Sequence, residues 1–159
     1  MKKKRTPTKM RKGIYILPNL LTTGNLLCGF WSIISVFQER FHLAAVAILL
    51  AAVFDVFDGK VAKLSGTTSK FGMQYDSLAD LVSFGVAPAL LAFSWALRPY
   101  GKFGWLAAFL FVACGAIRLA RYNVLASSGE TKYFKGLPIP VAAAMIAFTI
   151  LLYFQLIET

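Results

Sequence analysis

Four of the seven acidic residues in this 159-residue chain fall in one stretch, as Asp55 and Asp58 and then Asp76 and Asp80. The first pair is three residues apart and the second four, so on a helix each pair shares a face. A hairpin between them brings both pairs to one level. Four facing carboxylates repel by several kcal/mol in a medium poorer than water. Hard divalent cations, which take oxygen ligands, relieve that repulsion, and Mg²⁺ and Mn²⁺ both suit this set. Two such ions are best suited to neutralising phosphate oxygens during a phosphoryl displacement, while a carboxylate outside the metal shell takes the proton of an attacking hydroxyl. Gly59 follows Asp58 directly, Ala62 lies one turn after it, and Gly72 precedes Asp76 by four residues. Small residues in register with carboxylates leave room for a bulky ligand at the backbone, although small residues also serve close helix packing.

The elements that must position these groups are apolar. The chain is 58% hydrophobic and 15% charged, more apolar than a soluble domain of this size can bury. Residues 13–38 and 136–157 carry no charge and are long enough to cross about 30 Å of hydrocarbon. Residues 41–64, 76–97 and 103–122 are apolar stretches with charges near one end. The expected fold is all-α, a polytopic transmembrane helical bundle of five spans over residues 13–157, behind a basic leader at residues 1–12. Pro138 and Pro140 suit the first turn of the last helix. Cys28 and Cys114 read as small buried hydrophobes rather than metal ligands.

Charge sets the expected orientation. The net charge is +10, and fourteen of the seventeen Lys and Arg lie in the leader or at the second and fourth connections. The opposite side has Arg40, Arg98 and Lys102. This asymmetry places the N-terminus and the aspartate cluster on the cytoplasmic side of the cell membrane. The leader then lies on anionic headgroups, each charge contributing about 1 kcal/mol near the surface, and no nucleic-acid role is expected. Arg118 and Arg121, three apart near the inner end of the fourth span, are candidates for a phosphate or a substrate carboxylate, with membrane anchoring as the alternative. Asn25 on the first span is a candidate for a nucleotide pocket, with an interhelical hydrogen bond as its alternative. A cation-dependent transporter is the competing use for carboxylates inside a bundle.

The stretch from Asp55 to Asp80 resembles the signature of the CDP-alcohol phosphatidyltransferases, Asp-x2-Asp-Gly-x2-Ala-Arg followed after eight residues by Gly-x3-Asp-x3-Asp. Here Asp55, Asp58, Gly59, Ala62, Gly72, Asp76 and Asp80 match, while Lys63 stands at the arginine position. Lysine keeps the charge but lacks the bidentate fork. Pro18 to Thr22, Tyr75 to Pro88, Arg118 to Asn123 and Phe134 to Pro140 are similar to the phosphatidylserine synthase branch.

The resemblance implies a homodimeric membrane enzyme that moves a phosphatidyl group from CDP-diacylglycerol to L-serine and releases CMP. A different alcohol (glycerol phosphate or inositol phosphate) and an archaeal CDP-lipid donor are the alternatives. It further implies that Asp55, Asp58 and Asp76 are metal ligands and that Asp80 is the general base and a contact of the second metal. Gly59, Ala62, Lys63 and Gly72 would border the nucleotide. The family core implies about six spans against the five counted here. The expectation is therefore a shortened form, or a cavity wall completed by a neighbouring subunit or other elements.

Overall fold

The structure, a computed structural model, describes residues 16–65, 69–127 and 136–157. The basic leader lies outside the described residues. Helix α1 (Ile16–Phe37) and helix α2 (Phe41–Ser65) form a hairpin. Its turn is closed by bonds from Glu39 N to Val36 O at 3.0 Å and from Arg40 N to Ser35 O at 2.9 Å. These bonds satisfy carbonyls at the helix end, and they place Glu39 at φ 58, in the left-handed region usually given to glycine.

The hairpin is held by small residues. Ala44, Ala45, Ala47, Ile48 and Ala51 of α2 are buried, and Ser32 of α1 donates its hydroxyl to the Ala44 carbonyl at 2.9 Å. Inside a bilayer there is no water to drive association, so close backbone approach and such hydrogen bonds do the work. The buried positions of α1 include Thr22, Asn25, Cys28, Ser32, Ser35 and Val36, spaced by three and four as one helix face requires.

The third span runs from Phe71 to Tyr100 and changes its winding along the way. Helix α3 (Lys70–Asp80) gives way to a π-helical segment (Leu81–Val86). Helix α4 (Ala87–Ala92), a second π-helical segment (Phe93–Leu97) and a 3₁₀ turn (Arg98–Tyr100) complete it. Ser69 caps α3, its hydroxyl accepting the Gly72 N–H at 2.9 Å. The span therefore begins earlier than the expected residue 76, and both aspartates sit inside it. Pro88 lacks an N–H and its ring crowds the carbonyl four residues before it, so wider winding just ahead of it relieves both problems.

Helix α5 (Lys102–Ser127) and helix α6 (Ile139–Ile157) follow. Pro138 caps α6, its carbonyl accepting from Val141 N and Ala142 N at 3.1 and 3.2 Å, and Pro140 falls in the first turn as expected. Ala143, Ala147 and Ile150 of α6 join Ala44, Ile48, Phe84 and Leu91 in the buried core.

Five helices are long and apolar enough to cross a membrane, and no strand occurs among the described residues. The chain is a multi-pass, all-α membrane bundle. Its outward faces carry Leu27, Phe57, Phe103, Phe109, Ile117 and Phe148, a surface that hydrocarbon covers at no cost. Cys28 is buried as expected, but Cys114 is exposed. It lies on α5, which the other helices cover least.

Candidate metal centre

The aspartates meet where the C-terminal half of α2 and helix α3 lie beside α1. Carboxylate oxygens of Asp55, Asp76 and Asp80 all lie within 4.8 Å of one another. Two carboxylates about 5 Å apart repel by roughly 3 kcal/mol at an effective dielectric near 20. Asp76 Oδ1 is buried with no hydrogen-bond partner among the described residues. A buried, unsatisfied carboxylate oxygen in a group that closely approaches two others suits an oxygen-seeking cation. The three groups can coordinate one divalent metal ion.

Asp58 stands beside this trio rather than in it. It is 4% exposed and accepts the Thr22 hydroxyl at 2.9 Å, so α1 holds it. Asn25, three residues further along α1, is fully buried and donates Nδ2 to Asp80 Oδ1 at 2.9 Å. The position expected to line a nucleotide pocket thus touches a carboxylate of the cluster. Thr22 was not anticipated as a site residue. The signal was available: it sits three residues before Asn25, on the face that must meet the aspartates.

A second polar layer braces α3. Thr23 donates to the Asn19 carbonyl at 2.7 Å. Its one proton is thereby committed, so Tyr75 donates to Thr23 across 2.9 Å. On the other side Asn123 of α5 donates to Ser77 Oγ at 2.9 Å and to Gln74 Oε1 at 3.3 Å. Asp76 and Asp80 therefore sit on a helix tied at the same level to both α1 and α5.

The remaining candidates are dispersed around this centre. Gly59 is exposed, and nothing lies within 4 Å of where a Cβ would stand. A Cβ at Gly72 would meet Ser69 Oγ at 3.1 Å and Asn19 Oδ1 at 3.6 Å. The side chains of Ala62 and Lys63 lie outside the described residues. Arg118 donates Nη2 to the Gly136 carbonyl at 3.2 Å, which ties α5 to the approach to α6. Arg121 is exposed on the same helix.

Residues 15–159 match the sequence pattern of the CDP-alcohol phosphatidyltransferases. The chain belongs to this family. A CDP-diacylglycerol–serine O-phosphatidyltransferase from Helicobacter pylori is 40% identical over 139 residues, covering 87% of this chain and 59% of that protein. One from Bacillus subtilis is 38% identical over 136 residues, covering 84% of this chain and 76% of that protein. An archaetidylserine synthase from Methanothermobacter thermautotrophicus is 44% identical over 133 residues, covering 82% and 56%. The chain thus spans 59% of the Helicobacter pylori protein's length. As a member of this family, it carries the two halves of the aspartate signature on α2 and α3, both packed on α1, and oxygens of Asp55, Asp76 and Asp80 from those halves approach one another.

Proposed function

We propose that this protein transfers a phosphatidyl group from CDP-diacylglycerol to the hydroxyl of L-serine, giving phosphatidylserine and CMP. The observation that carries the reading is the meeting of Asp55, Asp76 and Asp80 in a chain similar to serine phosphatidyltransferases over most of its length. Divalent cations, Mg²⁺ or Mn²⁺ and two in number, would neutralise the diphosphate and the charge developing at phosphorus.

The protein's own residues divide the remaining work. Asp55, Asp58 and Asp76 supply metal ligands, and Asp80 contacts the second ion as well. Asp80 takes the proton as serine's hydroxyl oxygen bonds to the phosphorus that bears the diacylglycerol. The bond from that phosphorus to the CMP oxygen breaks, and CMP leaves. A carboxylate is too weak a base to form a free alkoxide, so proton removal accompanies attack. The open space at Gly59 accommodates the nucleotide, with Ala62, Lys63 and Gly72 around it. Arg118 and Arg121 hold the lipid phosphate or the serine carboxylate. Residues 13–157 form the catalytic membrane domain behind the cytoplasmic leader at 1–12. The site opens to the cytoplasm, and the protein works as a homodimer.

The test is purified protein in detergent with labelled serine, CDP-diacylglycerol and Mn²⁺. Label should enter lipid with matching CMP release, and chelation should stop both. CMP release with glycerol phosphate or inositol phosphate but never with serine would overturn the choice of acceptor. The 44% identity to an archaetidylserine synthase supports a second reading with an archaeal ether-lipid donor. Paired assays with ester and ether CDP-lipids decide between them.

A further inference from the structure

Asn25 is held in a way that core packing does not explain. Its side chain is fully buried, its Nδ2 donates to Asp80 Oδ1 at 2.9 Å, and its Oδ1 has no partner among the described residues. A buried carboxamide oxygen left unsatisfied is a net loss that an apolar side chain would avoid. The amide cannot flip to improve matters, because its oxygen would then face the Asp80 carboxylate.

The backbone around this contact is equally constrained. Ser83, three residues after Asp80, donates its hydroxyl to the Asn25 carbonyl at 3.0 Å. Gly29, one turn after Asn25, lies so close to the third span that an added Cβ would clash with Ser83 Oγ and stand 2.7 Å from Ser83 Cα. The π-helical winding begins at Leu81, directly after Asp80. Changed winding rotates the following residues relative to an α-helix, and it is within this segment that Ser83 reaches α1. The side-chain bond reaches the Asp80 carboxylate, while the hydroxyl–carbonyl bond and the glycine crossing hold the Asn25 backbone against the third span.

We infer that Asn25 is a positioning residue for Asp80: held by Ser83 and the Gly29 crossing, it fixes one carboxylate oxygen so that the other points into the metal centre. The inference rests on the proposed role of Asp80, but its test does not depend on turnover alone. Mn²⁺ affinity can be read by electron paramagnetic resonance without substrate, alongside kcat and KM, in wild type, Asn25→Ala, Asp80→Asn and the double variant.

Asn25→Ala should weaken Mn²⁺ binding by about 3- to 10-fold and lower kcat by about 10- to 100-fold, with the CDP-diacylglycerol KM changed less than about threefold. In the Asp80→Asn background the same change should alter Mn²⁺ affinity and kcat less than about twofold, because the coupled partner is already lost. Equal losses in both backgrounds would show general damage and overturn the inference. So would a raised nucleotide-lipid KM with kcat and Mn²⁺ affinity unchanged, which is the signature of a nucleotide contact. If Asn25→Ala does not yield folded protein, Ser83→Ala carries the same cycle, with an expected loss of about 2- to 3-fold in Mn²⁺ affinity in wild type and none with Asp80→Asn. Should no alcohol be phosphatidylated at all, the proposed reaction falls, while the Mn²⁺ cycle still decides the role of Asn25.

Discussion

The third span and α5 are similar in length and hydropathy but differ in how the fold uses them. Buried positions make up 44% of the third span's most apolar window and 11% of that of α5. The third span is gripped through polar side chains: Asn25 on Asp80, Ser83 on Asn25, and Tyr75 on Thr23. Helix α5 shows Phe103, Trp105, Phe109 and Ile117 outward, and near its C-terminal end Asn123 bonds to α3. In a bilayer, apolar surface finds equal company in lipid, so burial within the bundle goes where polar groups demand partners. The span that carries Asp76 and Asp80 is therefore the most buried of the five.

That contrast can be broken most severely at the carboxylates. Asp80→Asn should lower turnover by about a thousandfold, measured by CMP release at saturating serine. Asp76→Asn should weaken Mn²⁺ binding by at least about tenfold, because Asp76 Oδ1 has no other described partner to hold it in place; unchanged Mn²⁺ affinity would remove Asp76 from the centre. Thr22→Val should reduce activity by roughly 5- to 20-fold by leaving Asp58 without its hydroxyl donor, and full activity in that variant would make the Thr22 contact incidental.

Two matched glycine substitutions sharpen the comparison between the spans. Gly29→Ala forces a methyl against Ser83 and should destabilise the folded protein by about 1–3 kcal/mol in detergent unfolding. Gly115→Ala on α5 would meet only Ile139 Cδ1, at 3.8 Å. It should change stability by less than about 0.5 kcal/mol, or raise it slightly through helix propensity. Equal effects at the two sites would mean that α5 is packed as tightly as the third span.

Much of this was legible in the residues alone. The five spans, the turn at residues 38–40 and the meeting of Asp55 with Asp76 and Asp80 follow from hydropathy, from spacings of three and four, and from the signature at residues 55–80. The early start of the third span was missed because α3 is amphipathic rather than continuously apolar, with Lys70, Gln74, Asp76 and Asp80 breaking the apolar run that marks a span. The π-helical winding had only Pro88 as a hint. Arg118 was read for its charge, yet it also bonds to the Gly136 carbonyl, a contact that depends on where α6 begins.

Composition and local spacing determined that this chain lies in a membrane, that its helices have the lengths they have, and that its acidic residues come in same-face pairs. Those properties depend only on residue type and on neighbours within a turn or two. Tertiary structure decided which three carboxylates converge, that Thr22 holds the fourth, and that Asn25 reaches Asp80 rather than open space. Those outcomes depend on the rotation of α1 against the third span. The Gly29–Ser83 crossing is one contact of that interface, between residues more than fifty positions apart, a distance over which no sequence period carries information.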